Sequence, residues 1–319
     1  MSLVAVTGAS GFVGGVLVPM LLGQGRQVRA VGRRLGPALE ALDVELAPAD
    51  VTDPDSLAQA LAGVDTVFHL VARISLVGDP DGSVWGVNVD GAGNVARAAR
   101  ETGVRRYLHC SSIHAFDLDT EGTIDETSPR SVREDLPAYD RSKFAGEERV
   151  RAEVAQGLDA VIVNPSGIIG PGDHGPSRMG HVFRSLFAGT TPANVAGAFD
   201  WVDVRDVAQG LLAAETSGRT GENYLLPGHR VTVAGMADAC AKVAGVRPPR
   251  VTLPMWAAEL AAPLGEWQAR RAGQEPLFTK EALHALRSDP DVSGAKACLL
   301  YTSPSPRDQR PNLVFRLLL

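Results

Sequence analysis

An α/β fold built on a doubly wound parallel sheet, with a smaller C-terminal lobe, is predicted by three features of this 319-residue chain. Short β-branched runs alternate with helical patterns through the first half, as parallel strands with crossover helices require. A glycine-rich turn, Thr7-Gly-Ala-Ser-Gly-Phe-Val-Gly14, stands between the first run and the first helical pattern. Beyond Pro165 the alternation loosens into Gly-Pro turns, including Gly175-Pro176, and longer helical stretches.

Residues 3–6 read as the first strand and 12–22 as its helix. Residues 27–31 make a second strand and 44–46 a weaker third. Asp53 caps a helix over 54–61, with Pro54 at its first position. Residues 66–71 read as a continuous apolar strand, the pattern of burial on both faces. A helix over 84–100, a strand at 106–110, a long helix over 137–155 and a strand at 160–163 complete this run. Further on, 206–215 and 233–243 read as helices, 223–226 as a strand, and 255–287 as more helix. Residues 1–165, with a return segment near 200–227, are expected to form the sheet domain. Residues 166–199 and 228–297 then form a lobe over the carboxyl ends of the strands, where ligands bind in such sheets.

Composition excludes several classes of function. A net charge of -6 gives no basic footprint for nucleic acid. The longest apolar runs fall short of a membrane span, and Met1 leads almost at once into a strand, leaving no room for a leader peptide. Cys110, Cys240 and Cys298 are scattered without metal-like spacing, so a reducing cytoplasm and no metal are expected. The run from Cys298 to Asp308 is identical to a translated frame of a transposon-based sequencing adapter. Residues 298–319 are therefore expected to be read-through, and no function is assigned to them. A native disordered tail is the alternative.

Chemistry concentrates in a few places. Gly8, Gly11 and Gly14 follow a strand and open a helix, a setting that lets backbone approach a pyrophosphate at a positive helix end. Ser10, Phe12 and Val13 complete that turn. The second strand ends at Arg33-Arg34, where NAD-binding sheets place a carboxylate. Guanidinium groups suit a 2′-phosphate, so NADP is expected over NAD. Asp50 and Val51, after the third strand, are placed to meet the adenine.

Tyr139 and Lys143 are four residues apart and so share one helix face. An ammonium beneath the phenol can stabilise its ionised form. Bringing a phenol from about 10 to about 7 takes roughly 4 kcal/mol, at about 1.4 kcal/mol per unit. The lysine and a cationic nicotinamide ring together are the expected source. His69, on an apolar strand, reads as a core residue. His114 lines the substrate pocket or lies on the surface. The stretch 256–264 is read as lobe core or an apolar substrate wall rather than a membrane-surface helix.

Together these motifs resemble the extended short-chain dehydrogenase/reductase superfamily, the NAD-dependent epimerase/dehydratase family, from Leu3 to about Ala297. The resemblance implies a Rossmann-type sheet. It implies cofactor contacts from the glycine turn, from Asp50-Val51 and from Phe68-His-Leu-Val-Ala72, where Leu70 and Ala72 lie beside the cofactor. Asn88 supports the site, and Pro165 in Asn164-Pro-Ser-Gly-Ile-Ile-Gly-Pro171 lies against the nicotinamide. Trp201-Val-Asp-Val-Arg-Asp-Val-Ala208 resembles a motif on the return to the sheet. Ser112, Tyr139 and Lys143 match the catalytic positions, with Tyr139 and Lys143 also touching cofactor.

Ser166-Gly167-Ile168-Ile169 lacks the asparagine and tyrosine of nucleotide-sugar epimerases. It looks more like the dihydroflavonol 4-reductase and 3β-hydroxysteroid dehydrogenase branch. The implied activity is NAD(P)-dependent interconversion of a ketone and a secondary alcohol on a small molecule. A nucleotide-sugar epimerase or dehydratase with retained NAD, and a non-catalytic NADP-binding regulator, remain alternatives. A homodimer through paired helices is common in that superfamily.

Overall fold

The computed structural model describes residues 2–33, 37–75, 77–173, 177–271 and 279–301. Five strands come first: β1 Leu3–Thr7, β2 Gln27–Gly32, β3 Glu45–Pro48, β4 Thr66–His69 and β5 Arg106–Cys110. With Ala160–Pro165 and Asn223–Leu226 they form one seven-stranded sheet, parallel at every pairing. The chain winds outward from β1 through β2 to β3, then returns to β4 on the other side of β1 and winds the opposite way. Direction reverses between β1 and β4. The carboxyl ends of these two strands therefore diverge into a crevice.

Two apolar layers hold the sheet. Helix α1, Phe12–Gly23, buries Leu17, Val18 and Leu21 against Val4, Val6, Phe68 and Leu108. The helices Pro54–Leu61 and Ala92–Glu101 cover the other face with Leu57, Leu61, Val95 and Ala99 against Ala5, Val31 and Val67. Each fully buried leucine or valine contributes about 1.5–3 kcal/mol. Strand ends are tied by Arg106, whose guanidinium donates to the carbonyls of Ala214, Glu215 and Gly218 at the end of helix Val204–Ser217.

Several elements differ from the sequence reading. The third strand begins one residue later than expected and runs to Pro48. The helix expected over 84–100 is broken: a short turn, Ser83–Trp85, passes through a π-helical segment, Gly86–Gly91, before α-helix resumes at Ala92. Apolar periodicity looks the same through a π turn, so the sequence hid it. The stretch 255–287 resolves into helices Met255–Arg271 and Lys280–Ser288. Beyond Pro165 there is also a three-stranded sheet that the sequence reading did not anticipate, with strands Gly167–Ile169, Ala198–Asp203 and His229–Thr232. The Trp201 motif thus starts in this small sheet, and the chain rejoins the large one at Asn223.

In the 256–264 stretch, Ala258 and Ala262 pack with Val195 and Leu283, while Trp256 and Leu260 are exposed. The junction expected at Ala297 falls inside one helix, Ala295–Tyr301, where Ala297 is buried. Arg34, the turn at Gly175-Pro176, the Leu264 side chain and residues 302–319 lie outside the described residues.

The helix Ala138–Val154 sits tightly on the π segment. A Cβ on Gly146 would stand 2.2 Å from the carbonyl oxygen of Asn88. Gly146→Ala is expected to lower the unfolding free energy by about 1–3 kcal/mol in urea titration, as overpacking does. An unchanged midpoint would contradict this packing.

Candidate active site

The turn after β1 is a cradle made by absent side chains. Gly8 has φ of 73°, and its N–H donates to the Val31 carbonyl at 3.2 Å. A Cβ on Gly14 would lie 2.4 Å from the Gly8 oxygen, so α1 can start directly beneath the turn only with glycine there. Gly11 stands at the helix entrance and gives no side-chain cap. The first N–H groups of α1, from Phe12, Val13 and Gly14, are thus available to an anion. These features fit a dinucleotide pyrophosphate. Ser10 and Gly11 are exposed at the mouth.

The remaining expected cofactor positions gather along the same edge. Leu70 N–H donates to the Thr7 carbonyl at 3.1 Å, which lays the chain from Leu70 to the exposed Ala72 across the end of β1. Asp50 and Val51 follow β3. The Asp50 carboxylate accepts from the Thr52 N–H at 2.9 Å and its hydroxyl at 2.8 Å. Those bonds, the Thr52 N–H foremost, hold its carboxyl below the usual range. Arg33 is exposed, its guanidinium 3.8 Å from the Asp50 carboxylate, a weak and solvent-screened pair. Pro165 is buried at the end of its strand.

Tyr139, Lys143 and Ser112 meet where β5 ends. Asn88 accepts from the Arg73 N–H at 2.8 Å and donates to the Arg73 carbonyl and to Ser142 Oγ, both at 2.9 Å. Ser142 in turn donates to the Tyr139 carbonyl at 2.7 Å. One side chain in the π segment therefore fixes both the loop after β4 and the first turn of the Tyr139 helix. The Lys143 side chain is buried, and its Nζ donates to the Cys110 carbonyl at 3.2 Å. Ser112 is buried beside the Tyr139 phenol.

Burial dominates the electrostatics of the free chain. Burial pushes the Tyr139 phenol well above its ordinary value of 10.0; Ser112 pulls it down, and Asp140 and Cys110 push it up. Burial also draws Lys143 below its usual range, opposed by Cys110 and Glu147. Lowering of the phenol by Lys143 was expected; in the free chain burial prevails.

Sequence reasoning missed the polar support beneath these groups. Glu147 lies one turn beyond Lys143 and is fully buried. It accepts from Asn164 Nδ2 at 2.6 Å, Asn223 Nδ2 at 3.0 Å and Arg151 at 3.3 Å, and pairs with Arg130 at 3.4 Å. Asn164 also donates to the Ser112 carbonyl at 2.9 Å. Extending the Tyr139–Lys143 face by one more turn would have found Glu147. Asp140, beside His114, was also missed. His69 is the core residue expected: fully buried, with Nδ1 2.7 Å from Thr7 Oγ1.

A glycine cradle at a strand crevice, with serine, tyrosine and lysine at the same edge, defines a nicotinamide-dinucleotide enzyme of the extended short-chain dehydrogenase type. Residues 4–226 match the model of the NAD dependent epimerase/dehydratase family, and the chain belongs to that family. It is similar to sterol demethylase protein B of Methylococcus capsulatus, with 38% identity over 251 residues covering 78% of this chain and 76% of the relative. A Synechocystis protein named for dihydroflavonol 4-reductase is 34% identical over 258 residues, covering 79% and 75%. The crystal structure of gox2253 superposes with a TM-score of 0.79 at 35% identity, covering 93% of this chain and 91% of that one. Among the described residues no cluster of three or more His, Cys, Asp or Glu could hold a metal, and no helix is long and apolar enough to cross a membrane.

Two buried histidines near Lys143 make stability depend on pH. Burial, first, and the Lys143 charge lower His69 to about 3 and push His109 well below its usual range. Both are neutral when folded and gain protons on unfolding below about 6.5, so unfolding free energy should fall as pH drops from about 6.5 toward about 3. His109→Phe should flatten that slope by up to about 1.4 kcal/mol per pH unit in denaturant titrations. Parallel profiles would contradict it.

Proposed function

We propose that this chain is an NAD(P)-dependent oxidoreductase that reduces a ketone to a secondary alcohol. The observation that carries the reading is the convergence of the buried Ser112 and Lys143 with the half-buried Tyr139 at the strand edge that holds the glycine cradle. A phenol that carries its proton at neutral pH can donate it to a carbonyl oxygen as hydride arrives. In that direction Tyr139 donates a proton to the carbonyl oxygen while the Ser112 hydroxyl hydrogen-bonds the same oxygen and fixes its approach. When bound, the dinucleotide supplies the hydride. The α1 N-terminus would hold its pyrophosphate, Asp50 and Val51 its adenine, and Lys143 its nicotinamide ribose.

In this reading the substrate side includes a cavity of mixed polar and apolar lining next to the glycine turn. Phe12, Ile168, Ile169, Met179, Phe183 and Phe187 line a cavity of about 230 Å³, to which Asp173 and Arg184 add charge. The apolar part of that lining suits a carbocyclic ketone better than a sugar nucleotide. Relatives named for sterol demethylation and dihydroflavonol reduction support that class. Residues 166–199 and 228–297 form the substrate lobe in this reading, and the exposed Arg33 selects the 2′-phosphate of NADP.

Tyr139→Phe should lower kcat by about 10²–10⁴-fold and leave dinucleotide affinity largely in place. Loss of dinucleotide binding in a folded variant would make the tyrosine structural instead. NADP(H) that exchanges freely during turnover supports the reductase, whereas NAD released only on denaturation would make the enzyme an epimerase. Arg33→Ser should cut the preference for NADPH over NADH by about tenfold, read as a ratio of kcat/KM values. An unmoved ratio would remove Arg33 from cofactor choice.

A further inference from the structure

A buried carboxylate stands beside the reacting groups without a part in the reaction just described. Asp140 follows Tyr139 in the first turn of its helix and is 4% exposed. Its Oδ1 lies 3.0 Å from His114 Nδ1. His114 presents its ring at 5.4 Å to the edge of Tyr139 and stacks at 5.8 Å on Phe199, which comes from the small sheet. The His114 backbone N–H donates to Ser112 Oγ at 3.3 Å.

The imidazole is thereby fixed by a carboxylate, an aromatic face and its own main chain. An ionised carboxylate only accepts hydrogen bonds, so the hydrogen sits on Nδ1. Nε2 then faces no hydrogen-bond partner among the described residues, while a fifth of the side chain remains open to solvent. A polar atom held this firmly, on a ring 5.4 Å from that of Tyr139, can engage a second group on whatever molecule binds there.

We propose that His114 is a substrate-positioning residue whose Nε2 hydrogen-bonds a polar substituent on the carbon next to the reacting carbonyl. The site thus selects α-functionalised ketones over plain ones. Asp140 acts through His114 by fixing its tautomer and its tilt. The inference rests on the ketone–alcohol reading for the position of the carbonyl, which Tyr139 and Ser112 would hold.

The test compares binding of 2-hydroxycyclohexanone and cyclohexanone to the dinucleotide-loaded protein, with no turnover required. The hydroxyketone should bind about fivefold or more tightly to the wild type. That ratio should fall to about one in His114→Phe, whose ring can still stack on Phe199, and recover in part in His114→Gln. Long-range nitrogen-15 correlation spectra should place the hydrogen on His114 Nδ1 and show it redistributed in Asp140→Asn. Equal affinities in the wild type, or a preference that survives His114→Phe, would overturn the proposal. So would an unchanged tautomer in Asp140→Asn. A His114-dependent preference in a protein that turns over no ketone would uphold the positioning role and sink the reductase reading, so the two failures are distinct.

Discussion

The fit of one helix onto one carbonyl governs the geometry of the site. Gly146 lets the helix Ala138–Val154 settle against Asn88, whose own side chain clamps Arg73 and Ser142. The π segment puts an extra residue into the turn at that point, and such bulges often occur at functional sites. The depth of Lys143 below the surface, the height of Tyr139 beside Ser112 and the line of the loop from Leu70 all follow from this seating.

Burial at that depth has an electrostatic cost that the chain offsets with fixed dipoles and a second layer of charge. Among the described residues Lys143 has only the Cys110 carbonyl as a direct hydrogen-bond partner, and Glu147 compensates from one turn away. Glu147 is itself surrounded by Asn164, Asn223, Arg130 and Arg151, as a buried carboxylate must be. Through Asn164 the same network reaches the Ser112 backbone. Position and charge are thus set by one set of contacts.

Much of this was legible in the chain. The parallel sheet, the glycine turn and the shared face of Tyr139 and Lys143 depend on local patterns, with periods of two and about four residues, and these survive into the structure. The π turn at Gly86–Gly91 was not legible, because apolar spacing does not distinguish a wide turn from a regular one. Nor was the small sheet, whose strands at Gly167 and Ala198 are short and pair across a long separation. The upward shift of Tyr139 in the free chain was not legible for a related reason. Sequence spacing brings an ammonium near a phenol, but only packing reveals how much water both have lost. Glu147, Asn164 and Asn223 converge from three distant segments, and no spacing rule connects them.

The balance between burial and charge at Tyr139 is the claim on which the mechanism turns. Titrating the tyrosine absorbance of the free protein, and subtracting the same curve for a variant lacking only that phenol, isolates its ionisation. The account gives a midpoint above the ordinary value of 10.0. A midpoint at or below that value would contradict it, and would show that charge and hydrogen bonding outweigh burial even in the free chain.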